Sequence, residues 1–295
     1  MKVAGFGESS IDFVYVVEEL PRPGVSKLRI TGHDSCCGGQ VATTMAACAA
    51  LGLTALYLGP IGNDENGRRI ARELSEGGVD VSRTMVRNSA SRYAVILVDG
   101  RTGERVVFWD RDSQLDVPAE EFDESQLGDA RVLHVDATDE AAAITIAGIA
   151  RAAGAIVTCD IDNVTPRTKE LLTRVTMPVL AEHVPQLLTG IGDTEAALRA
   201  IRAWHQGLLC VTLGGRGSAA LDGDRFVQVP AVPVKTVDTT GAGDVFRAGF
   251  IYGVLHEWPA ERMLEFANAA AAVSCTRIGA MAGVPNLGEV ERQLS

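Results

Sequence analysis

The stretch DTTGAGDVFRAGF, residues 238–250, places an acid directly after a run of small residues. Phe246, Phe250 and Val254 recur every four positions, so a helix should begin near Gly243 with Asp244 in its first turn. The first N–H groups of a helix lack intrahelical partners, and the helix dipole adds partial positive charge at that end. Gly241 and Gly243 let the backbone approach a ligand closely and adopt dihedrals closed to other residues. An anion can therefore sit on these N–H groups with a carboxylate beside it. The plainer role for Asp244 is stabilisation of the helix start, worth about 0.3–1 kcal/mol. A second small-residue stretch, CCGGQVATTMAACAALG, puts Gly38 and Gly39 ahead of an alanine-rich helix. It would serve either a polar ligand or close packing of that helix on a sheet.

The elements that must hold these stretches alternate along the chain. KVAGFG, TALYLGP, RVLHVDA, AIVTCDI, MPVLAE and LLCVTLGG read as buried strands. VATTMAACAALG, ENGRRIARELSEGG, AAAITIAGIARAAG, DTEAALRAIRAWHQG and PAERMLEFANAAAAVSCTR carry apolar residues at helical spacing. Strand–helix alternation predicts an α/β fold with a mainly parallel sheet. Gly52, Gly77, Gly154 and Gly207 read as helix C-terminal glycines. Two stretches break the alternation, IDFVYVVEELPRPGVSKLRITGHDS and SRYAVILVDGRTGERVVFWDRDSQ. They read as hairpins of period two, forming either a small accessory sheet over a site or ordinary edge strands.

Hydrophobic residues make up 46% of the 295 and aromatics only 5%, which points to tight helix-on-sheet packing in a globular protein. With a net charge of −11 and no Lys/Arg cluster, a nucleic-acid partner is not expected. The six cysteines show no C-x-x-C spacing and read as reduced thiols rather than a disulfide or zinc framework. The N-terminus runs straight into a strand-like segment and no apolar run reaches about 20 residues, so a cytoplasmic protein with no membrane association is expected.

Taken in order, these stretches resemble the ribokinase, or PfkB, family of carbohydrate and nucleoside kinases over nearly the whole chain. DTTGAGDVFRAGF is similar to the family's C-terminal signature, and GGQVATTMAACAALGLTALYLGPIGNDENGR to its N-terminal one. VTLGGRGSAAL resembles its nucleotide-binding strand and turn, and VVFWDRDSQLDV leans towards the ketohexokinase-like branch. The resemblance implies a single three-layer α/β/α domain over residues 1–295, with lid segments at about 12–35 and 92–114. It implies ATP as co-substrate, Mg²⁺, and phosphorylation of a primary hydroxyl of a small sugar or sugar acid. The apolar arms Phe13, Tyr15, Val107 and Trp109 should pack on the sugar, on the core or on the same surface of a second subunit, so a homodimer joined through the lid is expected.

Residue roles carry over in the same way. Asp244 would be the general base, and the N–H groups of Gly241, Ala242 and Gly243 would hold the transferring phosphoryl group. Asp12, Gly39, Thr43 and Asp136 would face the sugar, and Arg111 would neutralise phosphate charge from the lid. Thr212, Gly214, Gly217 and Asn268 would line the nucleotide side. Asp238 and Thr240, with carbonyls near Ser274 and Gly279, match a monovalent-cation loop for potassium. Thr43 stands where the family has a sugar-binding Asn, and Gln40 where a Lys is common. Ala181 and Val184 occupy the ends of the family's N-x-x-E motif, leaving Glu182, or Asp160 and Asp162, to organise Mg²⁺. The rivals are a nucleoside kinase and a non-catalytic sugar or nucleotide sensor. GFGESS lacks the third glycine of a dinucleotide fingerprint, and no G-x-x-x-x-G-K-[ST] is present.

Overall fold

The computed structural model describes residues 1–294. The chain opens with β1 (Lys2–Phe6), β2 (Ser10–Val17) and β3 (Ile30–Gly38), then α1 (Gln40–Ala50), β4 (Thr54–Tyr57), β5 (Pro60–Gly62) and α2 (Glu65–Glu76). Next come β6 (Met85–Arg87), β7 (Tyr93–Asp99), β8 (Arg105–Asp110) and β9 (Val132–Asp136). The middle of the chain runs α3 (Glu140–Ala152), β10 (Ile156–Ile161), α4 (Thr168–Arg174), β11 (Met177–Ala181), α5 (Val184–Thr189) and α6 (Thr194–Arg202). It closes with β12 (Leu209–Thr212), β13 (Ser218–Asp222), β14 (Arg225–Val229), α7 (Ala242–Leu255), α8 (Ala260–Ser274) and α9 (Leu287–Leu294).

The main sheet has eight strands in the order β14-β13-β12-β11-β10-β9-β1-β4. It is parallel from β4 to β12, and β13 and β14 add an antiparallel edge. Successive residues of each strand feed opposite faces. Val3 packs with α1, α2, α7 and α8, while Ala4 and Phe6 pack with α3, α4 and α6. Both faces are covered, which is why the strands read as continuous apolar runs. Small residues let the helices sit close. A Cβ on Gly249 of α7 would come within 2.8 Å of the Ala267 Cα of α8, and one on Gly5 of β1 within 2.7 Å of Met45.

The two expected hairpins form one structure. β3-β2-β7-β8 is a four-stranded sheet in which β2 pairs β3 and β7 pairs β8 antiparallel, while β2 and β7 run parallel. Their pairing joins two segments separated by more than seventy-five positions in sequence, a contact that period-two patterning cannot specify. Gly207 is a correction to the reading of helix ends. It follows α6 by several residues, and a Cβ there would strike the Thr176 carbonyl at 1.7 Å. Close backbone approach, not helix termination, requires it. Among the described residues, no helix is long and apolar enough to cross a membrane.

Candidate active site

The C-terminal ends of the parallel strands converge where β1, β9 and β10 end and α7 begins. Open α/β sheets bind ligands at this edge. Gly241 caps α7 with φ 77°, and a Cβ there would lie 2.8 Å from the Ala280 Cα. The left-handed conformation and the close approach both require glycine. The Ala242 N–H already donates to the Thr239 carbonyl at 3.2 Å. Asp244 is half-buried in the first turn of α7. The Thr44 hydroxyl of α1 donates to its carbonyl at 3.2 Å, so the two small-residue stretches meet here.

Asp244 lies in a group of acids. Asp136 ends β9 and Asp160 sits near the end of β10, directly opposite each other in the parallel register. Burial raises the Asp244 carboxyl well above the ordinary carboxylate range; the Asp160 charge adds to this and Arg247 opposes it. Burial likewise raises Asp160 to about 6, against the pull of Arg247. Asp136 is raised to about 7, first by burial and then by the Glu8 charge. Its two oxygens accept the backbone N–H of Glu8 at 2.6 Å and of Thr138 at 2.9 Å. Glu8 pairs with Arg92 at 2.9 Å, and its other oxygen accepts the Thr138 hydroxyl at 2.9 Å.

Asp12 of β2 faces the same side. It accepts the Ser10 hydroxyl at 2.9 Å, and burial raises its carboxyl while Arg92 lowers it. Gly39 has φ 96°, and a Cβ on it would lie 2.5 Å from the Ser9 Cα, so its backbone is pressed against the Glu8–Ser9 turn. Thr43 lies deeper: it is 0% exposed and its hydroxyl has no hydrogen-bond partner. Arg111 lines a small cavity with Glu8, Ser9 and Arg92, and its guanidinium is paired with Asp116 at 2.5 Å.

On the other side of α7 a cavity of about 540 Å³ is lined by Thr212, Gly214, Gly217, Ala242, Gly243 and Asn268, among others. Gly217 has φ 94°, and a Cβ would fall 2.1 Å from the Val229 carbonyl. The Asn268 amide donates to the carbonyls of Val229 and Pro230 at 3.2 and 3.1 Å, so it holds the cavity wall in place. Glu182 follows β11 and pairs with Arg216, beside the Gly214–Arg216 turn, at 2.6 Å. Asp160 is not open to a metal, because its 2% exposed carboxylate is held by Arg247; Asp162 accepts the Gln40 amide at 3.0 Å.

Asp238 holds the loop ahead of α7. Its oxygens accept the Thr240 N–H and hydroxyl at 2.9 and 2.7 Å and the Gly279 N–H at 2.9 Å. Thr240 also accepts from Arg105 of β8 at 3.2 Å. The Ser274 carbonyl accepts the Arg277 N–H at 3.1 Å and the Gly279 carbonyl the Gly283 N–H at 2.9 Å. Glu8, Arg92 and Arg247 escaped the sequence reading. Arg247 left one signal, a cation among the apolar residues that follow Asp244 in α7; Glu8 left another, an acid just past the end of the first strand.

The model of the pfkB family of carbohydrate kinases matches residues 1–287. Fructokinase-1 of Zea mays is 30% identical over 316 residues, covering 98% of this chain and 96% of that protein. The ribokinase of Bacillus subtilis is 27% identical, covering 98% of each. Among solved structures, Arabidopsis thaliana ribokinase complexed with ribose and ATP superposes with a TM-score of 0.87 at 25% identity, covering 99% of this chain and 98% of that one. Xylella fastidiosa fructokinase with bound ATP gives a TM-score of 0.84 at 25% identity, with the same coverage.

Proposed function

We infer the reaction from the premise that this chain belongs to the pfkB family of carbohydrate kinases: it is an ATP-dependent kinase that phosphorylates a hydroxyl of a small sugar. The observation that carries this reading is the position of Asp244, between the nucleotide-sized cavity walled by Ala242 and Gly243 and the acidic floor of Glu8, Asp136 and Asp160. The acceptor is a primary hydroxyl of a sugar or sugar acid, held by Asp12, Asp136 and the Gly39 backbone. ATP occupies the cavity lined by Thr212, Gly214 and Gly217.

The step is in-line displacement. The sugar hydroxyl oxygen bonds to the γ-phosphorus, the bond from that phosphorus to the ADP oxygen breaks, and the hydroxyl proton passes to the Asp244 carboxylate. A raised pKa makes Asp244 a stronger base near neutrality, and a positioned base contributes about 10²–10⁴-fold. The N–H groups at the start of α7 stabilise the equatorial oxygens, where most of the catalysis of phosphoryl transfer lies. Mg²⁺ would arrive with the nucleotide phosphates and neutralise their charge, with Glu182 contacting it through water. Glu182→Gln should then raise the Mg²⁺ concentration needed for half-maximal rate.

The remaining features follow the same reading. Potassium would have to share oxygens of Asp238, Ser274 and Gly279 that already accept N–H groups, so activation by potassium should stay within a few-fold. The β3-β2-β7-β8 sheet is a lid, and β8 is its dimer edge, because Val107, Phe108 and Trp109 are 45%, 55% and 64% exposed. All six cysteines are free thiols, which suits the reducing cytoplasm. The deciding experiment is a coupled ADP-release screen across ketoses, aldoses, sugar acids and nucleosides. Turnover of a sugar or sugar acid is expected; turnover confined to nucleosides would replace this reading.

A further inference from the structure

Arg247 lies one turn after Asp244 on α7, yet it is only 4% exposed and every residue from Val245 to Ile251 is buried. Burying a guanidinium in such surroundings is costly unless a partner of opposite charge is fixed beside it. The partner is Asp160: Nη2 lies 2.5 Å from Oδ1, and Asp160 is 2% exposed. The Asp160 charge in turn acts on the neighbouring Asp244 carboxyl, against the pull of the same guanidinium. A second contact comes from the other end of the guanidinium, since a Cβ on Gly243 would lie 2.8 Å from Nη1. Gly243 therefore leaves room for Arg247 as well as for a ligand. The cation sits against the first turn of α7, while Gly243 itself lines the nucleotide cavity and Arg247 does not.

We propose that Arg247 and Asp160 are a positioning pair for phosphoryl transfer, in which the buried guanidinium clamps Asp160 against Asp244, fixes the direction of the base, and places a permanent positive charge behind the phosphoryl-binding turn. Neither residue touches substrate. Without the cation, two adjoining carboxylates would stand uncompensated in a desolvated site, and Asp244 would turn away or lose its charge. The pair bridges β10 and α7, so it also ties the sheet edge to the helix start.

This inference rests on Asp244 being the base, and the test separates the two. Arg247→Met, Arg247→Lys, Asp160→Asn, the Asp160→Asn/Arg247→Met double variant and Asp244→Asn are compared for kcat, sugar KM, nucleotide affinity and melting temperature. Arg247→Met should lower kcat by about 10²-fold while sugar KM and nucleotide affinity stay within about threefold. Lysine should recover part of the loss. The double variant should recover about tenfold over Arg247→Met yet stay about tenfold below wild type, because a neutral amide needs no counter-charge but the fixed positive charge behind the turn is lost. A folded Arg247→Met enzyme with wild-type kcat, or a loss shared equally by KM and affinity that lysine does not restore, overturns the proposal. If Arg247→Met does not fold, the double variant decides: lowered kcat with unchanged KM supports the pair, and wild-type kcat overturns it. Near-normal turnover in Asp244→Asn would instead remove the base assignment.

Discussion

Asp244→Asn should make the protein slower and more stable at once. The kinetic half follows from position. Asparagine keeps the shape of the side chain and its contact with Asp160, but it cannot accept the hydroxyl proton. A general base is worth about 10²–10⁴-fold, or roughly 2.7–5.5 kcal/mol of barrier. The loss should fall on kcat, with nucleotide affinity retained because the cavity wall is unchanged. The stability half follows from the neighbours. Two carboxylates about 4 Å apart repel by about 4 kcal/mol at an effective dielectric near 20. Arg247, 2.5 Å from Asp160, cancels a large part of this. A residual penalty of about 1–2 kcal/mol should disappear in the variant, raising the melting temperature by roughly 2 °C per kcal/mol. The sign has a pH signature. Because the folded-state pKa of Asp244 is raised, the penalty is absent at low pH, grows as pH rises through that raised value, and is complete above it. The stabilisation by Asn should therefore shrink as the pH is lowered towards about 5. Single-turnover kinetics and calorimetry on one preparation are the assay. A variant that loses activity and stability together would refute this account, because it would show Asp244 acting mainly as a structural cap.

Gly241→Ala should destabilise the fold by about 1–2 kcal/mol or more and depress kcat, because φ 77° and the Ala280 Cα at 2.8 Å leave no room for a methyl; denaturant titration checks it. Asp136, raised to about 7, costs stability increasingly as pH rises through that value, so Asp136→Asn should gain on the wild type between about pH 5 and 8 and then level off, while sugar KM rises. A flat difference in pH-dependent unfolding would contradict that. Val107→Lys with Trp109→Glu on the exposed β8 edge should turn a dimer into a monomer in sedimentation experiments. Equal masses for the wild type and the variant would move the interface elsewhere.

Local sequence carried the α/β alternation and the start of α7, because both depend on residues within a turn or two of each other. The apolar spacing of Phe246, Phe250 and Val254, with glycines ahead, sufficed to place Asp244 in a first helical turn. The small-residue stretches also gave their packing reason early, though Gly243 proved to accommodate Arg247 as well as a ligand-facing turn. What patterning could not supply was which strands meet. The parallel pairing of β2 with β7 merges two hairpins into one sheet, and the register of β9 with β10 puts Asp136 opposite Asp160. Those contacts decide the electrostatics of the site. Arg111, a free lid cation by sequence, is held by Asp116, and Thr43, a sugar contact by position, is fully buried. Arg247, which looks like an intruder in an apolar helix, finds its charge partner only on a strand more than eighty residues away. Helix periodicity is a property of neighbours in the chain, whereas a buried charge is stabilised by neighbours in space, and only the folded sheet brings those together.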